Sequence, residues 1–138
     1  MSLLHASTVA FGRQGGVLIR GASGAGKSTL ALRLIAEGAQ LVADDRTLVT
    51  GRGGQVFARA PGSIAGLIEA RGIGILRLPS LRMVRLRLVV DLDSAPERMP
   101  SDTTCHLEGV TLSRLPAPAG DVFPAALRHY VVELSRKA

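Results

Sequence analysis

The sequence predicts an α/β domain with a mixed sheet, and three observations lead there. The apolar run Val17-Leu18-Ile19 enters Gly21-Ala22-Ser23-Gly24-Ala25-Gly26-Lys27-Ser28 and a helical pattern follows, the strand, loop and helix order of a phosphate-gripping unit. Two glycine-rich segments, Gly12 to Gly16 and Thr50 to Gly54, sit between apolar runs and read as hairpin loops. A late stretch carries Phe123, Leu127, Tyr130, Val131 and Leu134 at helical spacing. An all-parallel nucleotide-binding sheet needs regular strand-helix alternation, which the hairpins interrupt, so a mixed sheet is expected.

Each element has a local reason. Leu4 to Phe11 and Val17 to Arg20 flank the first glycine-rich segment and form a strand pair. From Ser28, the spacing of Leu30, Ala31, Leu34 and Ile35 gives one apolar helical face, and Gly38 is placed to end that helix. Leu41-Val42-Ala43 reads as a buried strand ending at Asp44-Asp45. Thr47 to Val49 and Gln55 to Ala58 make the second strand pair. After Pro61-Gly62, Ser63 is an N-cap candidate for a short helix carrying Ile64, Leu67 and Ile68, which delivers Glu69-Ala70-Arg71-Gly72 to a strand over Ile73 to Leu76. Met83 to Leu92 alternates, with Val84, Leu86, Leu88 and Val90 on one face and Arg85 and Arg87 on a solvated one. Leu107 to Leu115 is a further strand, and Phe123 to Leu134 a helix whose five apolar residues form the core-facing stripe.

The loop from Gly21 to Ser28 is a complete G-x-x-x-x-G-K-S pattern. Glycines let successive backbone N–H groups turn inward around phosphate oxygens, and the following helix N-terminus adds partial positive charge. In that pattern Lys27 reaches the β/γ-phosphates, Ser28 ligates Mg²⁺, and Thr29 begins the helix beside them. Of the 17 basic residues only Lys27 and Lys137 are lysine, so the loop lysine is not drift in a lysine-rich chain.

A chain of 138 residues that is 46% hydrophobic suits a single globular domain over residues 1–138. The lone Cys105 has no intramolecular bridge partner and no zinc-type spacing around it, which points to a reducing, cytoplasmic setting. No apolar run approaches the ~20 residues that cross a bilayer, so no membrane contact is expected. The net charge of +6 is spread over arginines from Arg13 to Arg136, and aromatic content is 3%. Such a distribution lacks both the basic stripe and the stacking series of nucleic-acid binders.

A loop of this kind needs a carboxylate near Mg²⁺ at the end of a buried strand. Asp44-Asp45 after Leu41-Val42-Ala43 is the better candidate and Asp91 after Leu88-Val89-Val90 the weaker, with a solvated strand end as its expected role. Adjacent strand residues point to opposite faces, so Asp44 and Asp45 can divide the work, one near an attacking hydroxyl and one toward metal or an arginine. Glu69 reads either as a second metal-side carboxylate or as a helix-end ion partner. His5 lies on the strand that pairs toward the loop; His106 and His129 are weaker candidates. Small-molecule kinases with this loop also carry an arginine-bearing lid, and no insertion here is long enough to be one.

Taken in order, His5, the loop Gly21 to Ser28, Ala43-Asp44-Asp45-Arg46 and Glu69-Ala70-Arg71-Gly72-Ile73-Gly74-Ile75 resemble the catalytic domain of bacterial HPr kinase/phosphorylase. That family is similar to phosphoenolpyruvate carboxykinase around its nucleotide site, which agrees with the hairpin-first order. The resemblance implies transfer of phosphate from ATP, with Mg²⁺, to a serine of HPr, the carrier protein of the sugar phosphotransferase system. It also implies a homohexamer and, for the family, reverse phosphorolysis. Carried onto this chain, Lys27 and the loop amides hold the polyphosphate and Ser28 binds Mg²⁺. Asp44 is the general base, Asp45 and Glu69 support the metal, and His5 stands beside the reacting carboxylate.

The chain departs from the family pattern in two respects. It resembles the short, single-domain alphaproteobacterial form without the N-terminal domain of the long form, and Leu76-Arg77-Leu78-Pro79-Ser80 replaces the glycine-rich stretch expected after Ile75. Where the family has an arginine-bearing Pro-x-Arg-Pro-Gly-Arg-like loop, this chain reads Leu115-Pro116-Ala117-Pro118-Ala119-Gly120-Asp121. Kinase activity with weak or absent phosphorolysis is therefore expected. Two alternatives stay open: a kinase for another acceptor, and a nucleotide sensor without turnover.

Overall fold

The computed structural model describes residues 1–93, 104–116 and 122–136. Its strands are β1 (Ser2–Leu4), β2 (Ala6–Ala10), β3 (Gly16–Arg20), β4 (Gln40–Ala43), β5 (Thr47–Arg52), β6 (Gln55–Arg59), β7 (Leu67–Ala70), β8 (Gly74–Arg77), β9 (Val84–Asp91), β10 (Thr104–Leu107) and β11 (Val110–Pro116). The helices are α1 (Lys27–Ala36) and α2 (Phe123–Ser135). Nine strands form one sheet in the order β1-β5-β6-β9-β3-β2-β4, with β11 also joined to β9 and β10 to β11. Because β9 runs parallel to β3 and β11 but antiparallel to β6, the sheet is mixed, as the hairpins require.

The sheet buries apolar side chains on both faces. On one, α1 and α2 lay Ala31, Leu34, Leu127 and Val131 against Val9, Val17, Ile19, Leu88 and Val90. On the other, Ala6, Leu18, Val42 and Val89 meet Val49, Val56 and Ala58 of the β5–β6 hairpin, with Leu112 from β11. Cys105 is half-buried at the edge of this second cluster. No described helix is long and apolar enough to cross a membrane.

Topology brings the chemistry-bearing residues to one end. Strand β2 runs antiparallel to both β3 and β4, so Ala6 lies opposite Arg20, and Thr8 opposite Ala43. The start of β2 therefore stands between the ends of the two strands that lead into the loop and into Asp44. The β7–β8 hairpin forms a separate two-stranded sheet that packs against α1.

Several elements differ from the sequence reading, each for a tertiary reason. Leu67 and Ile68 belong to β7, not to a helix; only Gly62–Ile64 makes a 3₁₀ turn, and Gly66 at φ +79 turns the chain into the strand. Leu107 to Leu115 is not one strand: Glu108 (φ 48) and Gly109 (φ +76) fold it into the β10–β11 hairpin. Strand β9 is central rather than half-exposed. Its register against β3 jumps from Leu86 to Leu88, a bulge that leaves Val84 and Leu86 on the hairpin-covered face and turns Leu88 and Val90 to the helix-covered one; with both faces covered, Leu88, Val89 and Val90 are all interior.

The arginine pair is half-buried instead of solvated, and Arg87 Nε donates to Gln14 O at 2.9 Å. Burial, and after it the like charge of Arg85, lower the Arg87 pKa from its ordinary value. On α2, Tyr130 faces outward while Leu127 and Val131 are buried. Of the segment Leu115 to Asp121, residues 117–121 lie outside the described residues.

Candidate active site

The loop departs from β3 at Arg20 and returns as α1 at Lys27, with Gly26 at φ +101 before the helix. A left-handed backbone here strains any residue with a Cβ, which is why glycine occupies the position. Gly21 is needed for another reason: a Cβ there would lie 3.0 Å from Leu92 Cβ, where the turn after β9 packs on the loop entrance. Lys27 is buried, its Nζ donating to Gly21 O at 2.9 Å and Ala22 O at 3.1 Å. The loop carbonyls thus hold the ammonium centrally over the helix N-terminus.

Asp44 and Asp45 have different surroundings. Asp44 is 7% exposed; its Oδ1 accepts from Ser7 Oγ and Ser28 Oγ, each at 2.7 Å, and its Oδ2 from Glu69 N at 3.0 Å. It binds β2, α1 and β7 together and orients the Ser28 hydroxyl. Asp45 has left the strand, at φ 66, and its side chain is 59% exposed. Aspartate tolerates that backbone better than most residues, and such strained positions cluster at functional sites. Its Oδ1 lies 2.7 Å from His5 Nε2, which donates to it when the proton is on that nitrogen, and its N–H donates to Ser7 Oγ at 3.1 Å.

A cavity of about 240 Å³ opens here, lined by Ser23, Gly24, Gly26, Lys27, Ser28, Thr29, Asp45, Glu69 and Arg71. Every one of these is polar, charged or glycine, as suits a polyanion with a cation. Of the residues singled out from sequence, the fold brings the loop, Ser28, Asp45 and Glu69 to this cavity, sets His5 behind Asp45, and buries Asp44 beneath it. His106 on β10 bonds Thr111 on β11, and His129 is exposed on α2.

Asp91 is not solvated. Its carboxylate lies 3.5 Å from an Arg20 nitrogen and 3.3 Å from one of Arg114, and is 16% exposed.

Three contributors escaped the sequence reading. Ser7 is fully buried and connects both aspartates, but a serine in an apolar strand carries no signal without its partners. Arg71 stands in the quoted Glu-x-Arg-Gly pattern, yet its place at the cavity depends on the β7–β8 turn. Asp93 accepts from Ala22 N at 3.1 Å, a contact across 71 residues of chain.

The HPr Serine kinase C-terminal domain model matches residues 3–101, which hold every residue of this site. The chain belongs to that family. Its curated relatives agree: the HPr kinase/phosphorylase of Aromatoleum aromaticum is 39% identical over 140 residues, covering 86% of this chain and 45% of the relative. That of Clostridium tetani is 46% identical over 66 residues, 48% of this chain and 22% of the relative. The chain thus spans less than half the length of these relatives. The solved Hpr(Ser) kinase/phosphatase of Coxiella burnetii superposes with a TM-score of 0.80 at 27% identity, covering 97% of this chain and 99% of that one. The HPr kinase fold, an α/β domain on a mixed sheet, therefore accounts for nearly the whole chain.

Within the HPr kinase family site, the oxygen donors Ser28, Asp45 and Glu69 share one cavity with the loop. That set fits Mg²⁺, which takes hard oxygen ligands and binds through one or two carboxylates together with substrate phosphates.

Proposed function

We propose that the chain is an ATP- and Mg²⁺-dependent protein kinase that phosphorylates a serine of HPr. One observation carries the reading: the P-loop and a strained, exposed aspartate, itself bonded to a histidine behind it, meet at a single polar cavity. The names of the relatives, which speak of HPr, supply the acceptor. Loop amides, Lys27 and the α1 N-terminus bind the polyphosphate and stabilise charge as it shifts toward the leaving oxygen. Bound Mg²⁺, held by Ser28 with Glu69, would neutralise phosphate charge and leave Asp45 for proton transfer.

The resemblance assigns the general base to Asp44, but the geometry favours Asp45. Three donors already occupy Asp44 and it does not line the cavity, whereas Asp45 does. In the forward reaction the serine oxygen attacks the γ-phosphorus, its proton passes to Asp45, and the bond to the β–γ bridging oxygen breaks to release ADP. His5 holds Asp45 in place, and Asp44 holds Ser28. A cytoplasmic hexamer belongs to the same proposal, and sedimentation of the purified chain tests the assembly.

The deciding experiment incubates wild type and Lys27→Ala with Mg²⁺-ATP and HPr and reads the product by mass spectrometry. One added phosphate on an HPr serine with wild type alone is expected; an unmodified HPr with bound ATP refutes the acceptor and leaves another substrate or a sensor role. Adding phosphate to serine-phosphorylated HPr tests the reverse direction, for which little pyrophosphate is expected; robust release would overturn that.

A further inference from the structure

Positive charge that is scattered along the sequence is gathered by the fold at a place away from the P-loop. A cavity of about 760 Å³, within the range of small-ligand sites, is lined by Arg13, Arg59 and Arg82 together with Ser80, Leu81 and Met83. It shares no lining residue with the polyphosphate cavity. The two lie toward opposite ends of β3 and β9: Arg13 precedes Gly16 and Arg82 precedes Val84, whereas Arg20 and Asp91 close those strands beside the loop.

Three separate segments supply the arginines, and backbone pairing holds each of them. Arg13 lies in the β2–β3 turn, which Phe11 N closes by donating to Gly15 O at 2.9 Å, and Arg13 O accepts from Arg85 N at 2.8 Å. Arg59 ends β6, next to Ala58, which pairs with Val84. Arg82 follows Leu81, whose N–H donates to Leu41 O at 2.8 Å and whose side chain packs against the hairpin-covered core. Strands distant in sequence thus set the positions of three cations whose side chains are exposed.

No carboxylate lines the cavity, and among the described residues none pairs with Arg13, Arg59 or Arg82. Arg59 donates only to Met1 Sδ, at 3.7 Å, a weak acceptor. Asp91, by contrast, neutralises Arg20 and Arg114 together. A guanidinium does not lose its proton, so repulsion among three gathered cations is relieved by a counter-charge. Its fork takes carboxylate or phosphate oxygens two at a time. The Ser80 hydroxyl adds a donor, and Leu81 and Met83 add apolar surface for a short carbon chain. We propose that this cavity is a second ligand site, for a small polyanion carrying two or more carboxylate or phosphate groups on a short carbon skeleton. The site does not depend on the phosphoryl-transfer reading, and a ligand there leaves the P-loop open to a polyphosphate.

The test is calorimetric titration of the whole chain with citrate and with propane-1,3-diol bisphosphate, without metal ion and at about 0.15 M NaCl, where diffuse surface attraction is screened. The two probes separate a carboxylate ligand from a phosphate one. At least one should bind with an affinity that Lys27→Ala, which disables the P-loop, leaves unchanged. Arg13→Gln and Arg82→Gln, both at exposed positions, should each weaken that probe about tenfold, the scale of one lost hydrogen bond to a charged group. Arg128→Gln, at an exposed position on α2, should leave it within about twofold, because Arg128 is not part of the cavity. Failure of both probes to bind overturns the proposal, as does a loss shared equally by Arg128→Gln, the mark of general attraction to a basic surface. Binding that Lys27→Ala abolishes and Arg82→Gln keeps places the anion on the P-loop and overturns it too.

Discussion

Replacing Ser7 by alanine tests whether the two aspartates are organised from β2. Its hydroxyl donates to Asp44 Oδ1 at 2.7 Å and accepts from Asp45 N at 3.1 Å, in a fully buried position. A hydrogen bond to a charged group contributes about 1.5–3 kcal/mol and a neutral one about 0.5–1.5 kcal/mol, so the substitution should cost about 2–4 kcal/mol. For a domain of this size each kcal/mol moves Tm by about 4 °C, which places the fall at about 8–16 °C by thermal unfolding. The loss should also reach function selectively. Asp45 at φ 66 relies on Ser7 for its N–H, so phosphoryl transfer should drop about 10–100-fold. Nucleotide affinity, set by the loop, should stay within about threefold, since Ser28 keeps its bond to Asp44. A variant that melts within 1 °C of wild type and transfers phosphate at full rate would refute the claim that Ser7 holds the pair.

Four further substitutions, at Asp45, His5 and Asp93, separate roles that the site brings close together. Asp45→Asn should reduce transfer by about 10²–10⁴-fold while ATP still binds, the cost of losing a general base, and His5→Ala should reduce it less, because it removes only the support; an Asp45→Asn enzyme with wild-type turnover would return the base to Asp44. At the loop entrance, Arg20 and Arg114 hold Asp91, Asp91 Oδ1 accepts from Asp93 N at 3.2 Å, and Asp93 accepts from Ala22 N at 3.1 Å. Asp93→Ala should weaken nucleotide binding about 2–10-fold, whereas Asp93→Asn, which keeps an acceptor oxygen, should bind like wild type; equal behaviour of the two variants would remove Asp93 from loop positioning.

The P-loop, α1 and the strand pairs were legible in the sequence because each depends on local chemistry. Glycines at fixed offsets permit only one kind of loop, and apolar spacing within ten residues decides a helix face. The same locality explains the failures. A stretch such as Ser63 to Ile68 has helical spacing, but a positive φ at Gly66 and pairing with β8 make Leu67–Ala70 a strand. Arg85 and Arg87 alternate like an exposed face, yet pairing of β9 with β3, β6 and β11 makes that strand central.

Sequence by itself determined that a complete G-x-x-x-x-G-K-S loop is present, that two adjacent aspartates follow a buried strand, and that the ordered motifs belong to one family. Only the tertiary structure decided how differently the two aspartates are placed. Antiparallel pairing of β2 with both β3 and β4 carries Ser7 and His5 to the ends of those strands, 37 and 40 residues from their aspartate partners. Hydrogen-bond saturation and burial of Asp44, against exposure of Asp45 beside His5, are products of that long-range pairing, and no local pattern encodes them.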